Sequence, residues 1–261
     1  MSVTVRPIGD LLREWRQRRR MSQLELSLEA EISTRHLSFL ETGRSQPSRE
    51  MVLRLAERLD VPLRERNVLL QAAGYAAVFP ERALDDPALR VARQAVDQVL
   101  AGHEPFPALA VDRHWTLIAA NTATTRLLGG VDESLLKPPV NVMRLALHPA
   151  GLAPRTANLG EWRAHLLERL GHQIQVTGDP VLVRLLRELR DYPAPADVPH
   201  DIDAGAFVVP FRLNAEAGTL AFFSTTTVFG TPVDITLSEL AVEAFYPSDA
   251  ATADALRQMA N

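Results

Sequence analysis

The chain contains no cysteine among its 261 residues. A disulfide scaffold, a cysteine nucleophile, iron–sulfur clusters and thiolate zinc sites are therefore excluded. The composition fits a reducing compartment, and a cytoplasmic location is expected. Lysine is almost as scarce: Lys137 stands alone among 28 basic residues, which we read as a composition bias of the genome. No apolar run approaches the ~18 residues of a membrane span, so no membrane partner is expected. The opening stretch MSVTVRPIGDLLREW has no apolar core ending in small residues, so secretion is not expected. The glycine-rich phosphate loops, the GxSxG elbow and the HExxH zinc pair are all missing. His165 and His172 lie seven apart and could share a helix face, but Gly171 weakens that helix. No catalytic residue, metal or cofactor is expected, and the chain is not expected to be an enzyme.

What is present is an ordinary globular composition, 46% hydrophobic and 23% charged, on a chain long enough for two domains. The net charge of −4 conceals an asymmetry. Residues 1–74 carry 13 Arg against 10 Asp and Glu, whereas the remainder carries 15 basic against 22 acidic residues. A basic front and an acidic rear suggest that only the front meets a polyanion.

Residues 8–73 read as a series of short helices. Ile8, Leu11, Leu12 and Trp15 have helical spacing. Ser22 followed by Glu25 is a capping-box pattern, opening a second helix with Leu24, Leu26 and Leu28. Ser33 caps a third, with Leu37 and Leu40 inward and Gly43 at its end. Ser48 caps a fourth with Val52, Leu55, Ala56 and Leu59, and Pro62 precedes a fifth with Val68, Leu69 and Ala72. Helices this short must bury their apolar faces against one another. We expect an all-α five-helix domain over residues 1–76 and a linker over 77–90, where two prolines break the pattern. Beyond it, residues 91–261 mix helices and strands. Strands are expected at Phe106–Val111, Trp115–Ala120, Ala206–Leu213, Thr219–Thr227 and about Leu237–Phe245, helices over most of 134–190, and a loop over 191–205.

The second and third helices with their short turn have helix-turn-helix spacing. The second of the pair must enter a major groove about 12 Å wide while the first crosses the backbone. With Leu26, Ala30, Leu37 and Leu40 on the inner faces, Thr34, Arg35 and Ser38 are expected to point outward together. Arg35 could bond guanine O6 and N7. Arg16, Arg18, Arg19 and Arg20 either contact phosphate or form a solvated helix end. Phe39 either touches a thymine methyl or packs within the domain.

The runs SQLELSLEAEISTRHLSFLETGRSQPS and MVLRLAERLDVP resemble the phage-repressor-like (Xre-type) regulators. WTLIAAN, NVMRLALHPAGL and LAFFSTTTVFGTPVDITLSELAVEAFYPSDAAT are similar to the MmyB-like subgroup. The resemblance implies a five-helix DNA-binding head, a PAS-like α+β domain that takes small hydrophobic molecules, and a transcription regulator. By that resemblance Gln23 matches a phosphate-contacting glutamine. Ser33, Thr34, Arg35, Ser38 and Phe39 match recognition-helix positions, and Arg44 completes the DNA-facing set. One departure is the turn, which reads Glu31-Ile32 where the family often has glycine. In the second domain Trp115, Met143, Leu147, Trp162, Phe211 and Phe222 are candidate pocket walls or simply core. Arg144, His148 and Arg155 are candidate partners for a carboxylate head group, and Asn121 is a PAS-type turn residue or a helix cap. The expected partners are double-stranded DNA, a fatty-acid-like small molecule and a second copy of the chain. The rival readings are a second domain that only dimerises or recruits a protein, and an enzyme domain fused to a DNA-binding head.

Overall fold

In a computed structural model, residues 6–193, 209–230 and 232–260 are described. By their contacts they fall into two units, Met1–Arg82 with Pro232–Ser238, and Ala83–Thr231 with Glu239–Asn261.

The first unit, the head, holds α1 (Ile8–Arg18), α2 (Gln23–Glu29), α3 (Thr34–Glu41), α4 (Arg49–Arg58) and α5 (Leu63–Ala72). Ser22, Ser33 and Ser48 each accept a bond from the backbone N–H three residues on, and Glu25 returns the bond to Ser22 N, completing the capping box. Leu12, Leu26, Leu37, Leu40, Val52, Leu55, Leu59 and Leu69 are wholly buried in one core. The inner residues expected of the motif, Leu26, Ala30, Leu37 and Leu40, are all buried, while Leu24 and Leu28 are exposed because residues two apart on a helix diverge. Val68 is also exposed, and Leu70 is buried in its place.

The helix ends explain the missing glycine. Ile32 N–H donates to Ser27 O at 2.9 Å and Glu31 N–H to Leu28 O at 3.2 Å, the paired bonds of a Schellman ending. That ending needs a left-handed residue, and Glu31 takes it at φ +56°. α1 and α4 end the same way, on Arg20 and Asp60. Gly9 is required for another reason: a Cβ there would lie 2.6 Å from the carbonyl oxygens of Leu40 and Glu41, so α1 can cross the end of α3 only without a side chain.

Residues 232–238 also belong to this unit. Asp234, only 1% exposed, pairs with Arg82 at 2.9 Å. Ile235 N–H donates to Pro80 O, and Thr236 Oγ1–H to Arg82 O. Asp234 also accepts from Thr236 N and starts a short helix, Ile235–Ser238. The strand expected from Leu237 therefore begins only at Ala241.

The second unit runs α6 (Arg90–Gly102), β1 (Ala108–Val111), β2 (Leu117–Ala120), α7 (Thr122–Leu127), α8 (Val142–Leu147), α9 (Leu159–Thr177), α10 (Pro180–Asp191), β3 (Phe211–Ala215), β4 (Gly218–Val228), β5 (Ala241–Pro247) and α11 (Ala250–Ala260). The sheet is antiparallel throughout, in the order β2-β1-β5-β4-β3. Phe211, Leu213, Leu220 and Phe222 share a core with Trp162, Leu166 and Leu170 of α9 and with Leu182, Leu185 and Leu189 of α10. A second cluster joins Val96 and Leu100 of α6 to Ala108, Ala110, Val242 and Ala244. Trp115 lies outside β2, at φ +66°. Asn121 is the cap of α7 and also a buried hub, accepting from Ala108 N and donating to Phe106 O and Leu100 O. Residues 194–208, which hold most of the expected loop and the start of an expected strand, lie outside the described residues.

Candidate DNA-facing surface and ligand cavity

The helix-turn-helix face begins with what holds α3. Arg16 Nε and Nη2 donate to the two oxygens of Glu41 at 2.6 and 2.9 Å, and Arg16 Nη1 donates to Met21 O. Gln23 Nε2 donates to the same carboxylate at 2.8 Å. The Glu41 side chain is fully buried. Burial pushes its carboxyl pKa up, but the bonds from Arg16 and Gln23 and the charges of Arg16 and Arg13 outweigh that and hold it below the ordinary carboxylate range. Two more of the N-terminal arginines thus have structural partners: Arg18 pairs with Glu14, and Arg19 donates to Leu59 O and Asp60 O.

On α3, Arg35 is exposed and Ser38 and Phe39 are half-buried. The Arg35 guanidinium lies 5.3 Å from the centre of the Phe39 ring, and that of exposed Arg44 lies 5.9 Å away. Phe39 is thus a platform between two cations. Ser33 is occupied as the cap of α3. Thr34 departs from expectation: its hydroxyl shares a 2.9 Å hydrogen bond with Ser27, turning it toward α2. It sits three residues before buried Leu37 and seven before buried Glu41, on the inner side of the helix.

The second unit contains a cavity whose wall is apolar except for Thr124, Arg169, Ser224 and Glu243. Trp115, Met143, Trp162, Phe211 and Phe222 all line it, whereas Leu147 lies in the surrounding core. α9 contributes Trp162, Leu166 and Arg169 at helical spacing, and the inner faces of β4 and β5 contribute Phe222, Ser224, Glu243 and Phe245. Arg144, His148 and Arg155 do not reach it. Arg144 is held by Glu188 at 2.6 and 2.7 Å, Arg155 donates to Leu127 O and Gly129 O, and His148 packs edge-on against Tyr192. Burial and a bond to Glu188 push the Tyr192 hydroxyl up to about 12.

Charge enters the cavity wall elsewhere. Arg169 Nη1 and Nη2 donate to Glu243 at 3.0 and 2.5 Å, and Nη2 also donates to Thr226 Oγ1 at 2.7 Å. The Trp115 ring centre lies 4.6 Å from the guanidinium. Sequence reasoning missed this pair, although Glu243 left a trace: an acid on the same strand face as Ala241 and Phe245 interrupts an otherwise apolar alternation. Nearby, burial and then Arg169 push the His165 pKa down.

The family model described as the MmyB-like transcription regulator ligand binding domain matches residues 92–259, and a helix-turn-helix family model matches residues 12–66. A protein of Methanoculleus marisnigri, named as an HTH-type transcriptional regulatory protein, is 36% identical over 124 residues. The match spans 46% of this chain and 40% of that relative.

Proposed function

This chain belongs to the MmyB-like transcription regulators, and on that premise we propose that it binds specific double-stranded DNA through its head and changes that binding when an elongated, fatty-acid-like molecule fills the second unit. The observation that carries the reading is the cavity: an almost wholly apolar wall with a few polar groups is the usual form of a small-molecule site. The order β2-β1-β5-β4-β3 supports a PAS-like description of this unit.

In the DNA-bound state Arg35 and Ser38 read base edges, and Arg44 and Gln23 meet phosphates. Ser33 and Thr34 contribute through the start of α3, and Phe39 fixes the two arginines. One head reads few base pairs, so two copies of the chain bind two half-sites in the cytoplasm. The link from ligand to head lies in the chain itself. Residues 232–238 are part of the head unit and join β4 to β5, two strands that line the cavity. A ligand that shifts those strands therefore bears on the head.

Native mass spectrometry of the protein purified from its source tests this directly. A dimer carrying a co-purified lipid-sized molecule is expected. A bare monomer that gains nothing from a panel of medium-chain aliphatic compounds contradicts it.

A further inference from the structure

The cavity's charged corner narrows the ligand class, given the reading of the cavity as a ligand site. We propose that the aliphatic ligand enters with an uncharged polar head, such as a hydroxyl, ester or protonated acid, seated at Ser224 and Arg169, and that Glu243 sets this preference.

The corner is already neutral. Glu243 is 4% exposed, and its two oxygens are taken by Arg169 and by Thr226 Oγ1, which donates at 2.9 Å. Both terminal nitrogens of Arg169 are committed in return. A ligand carboxylate beside this guanidinium would be a second anion on one cation, which raises the free energy of the ionised form. Displacing Glu243 would leave a buried carboxylate without its cation, a worse outcome. A ligand ammonium would face Arg169 itself.

The remaining capacity suits a neutral group. The Ser224 hydroxyl has no hydrogen-bond partner among the described residues, and the third nitrogen of Arg169 still has a proton to donate. The other polar groups are occupied. Thr124 Oγ1–H donates to Ala108 O, and the Trp115 indole N–H donates to Gln173. A hydroxyl or carbonyl head can bond Ser224 and Arg169 without adding charge, while its chain lies along Phe222 and Trp162.

Calorimetric titration of the full-length protein at pH 8 with decan-1-ol, sodium decanoate and decylamine, each below its aggregation limit, tests the inference. Decanol is expected to bind at least about tenfold more tightly than decanoate or decylamine. Glu243→Gln frees Arg169 and is expected to tighten decanoate about tenfold or more while leaving decanol within a few-fold. Should that variant not fold, the order of the three probes on the unaltered protein still decides the matter. Decanoate binding as tightly as decanol overturns the head-group assignment, as does a folded Glu243→Gln protein with an unchanged ratio. Binding of none of the three overturns instead the reading of the cavity as a ligand site.

Discussion

Arg16 and Glu41 meet in a two-pronged ion pair that fastens α1 to the end of α3, and Gln23 closes the same carboxylate from the start of α2. Three helices of the head converge on one buried acid, so the angle at which α3 is presented depends on it. The arrangement makes the head sensitive to acid. The folded-state pKa of Glu41 lies below its unfolded value. Its stabilisation is therefore present above the unfolded pKa, ~4.3, and is lost as pH falls through the folded value. Thermal melts of the full-length protein from pH 7 to pH 3 should show falling stability, and Glu41→Gln should be less stable at pH 7 but flatter across the series. Parallel profiles for the two proteins would contradict the assignment. Arg16→Ala, which strands the buried carboxylate, should cost about 3–5 kcal/mol.

Backbone approach makes a second prediction. Gly9→Ala drives a methyl group into the carbonyls of Leu40 and Glu41 and should lower stability by at least about 1–3 kcal/mol, the usual range for overpacking. Glu31→Gly relieves a left-handed residue at the cost of unfolded-chain entropy, and should be neutral or stabilising by up to about 1 kcal/mol. Chemical denaturation of both variants measures the contrast; a harmless Gly9→Ala would mean that α1 crosses α3 differently.

Recognition is tested on sites selected by the full-length protein from random duplex DNA. Arg35→Ala should cost about 1–3 kcal/mol at the selected site and relax one base position. Phe39→Ala, which removes the platform under Arg35 and Arg44, should relax the same position more weakly. Arg44→Ala should weaken all sequences alike and lower the salt slope by about 1. An unchanged sequence preference in Arg35→Ala would place recognition on another face.

Much of this was legible in the sequence, and the limits have physical causes. Serine caps and apolar spacing located α2, α3 and α4, because those signals act within one turn of helix. The choice between Val68 and Leu70 depends on what packs opposite, which spacing alone does not specify. Five of the six expected wall residues line the cavity because large apolar side chains on facing elements converge there. The expected carboxylate partners do not. Arg144 is captured by Glu188, forty-four residues away, while Arg169 comes to the cavity through Glu243, seventy-four residues away. Such partnerships are long-range choices with no local pattern. The helix at Ile235–Ser238 was hidden by an apolar run that also reads as strand.

Transmission makes a further prediction. Asp234→Asn weakens the tie between residues 232–238 and Arg82 within the head, and leaves the cavity wall untouched. Decanol should bind this variant as it binds the unaltered protein, but its effect on DNA affinity should shrink toward none. A full ligand effect in the variant would show that the signal takes another route.

In the proposed function, filling the cavity alters binding at the DNA face. The most direct measurement is the Kd of the full-length protein for its selected DNA site, at fixed salt, with and without saturating decan-1-ol. Linked sites predict a change of about 5–150-fold, with DNA altering decanol affinity by the same factor. An identical Kd, under conditions where calorimetry shows the cavity occupied, would mean that the two sites are not linked.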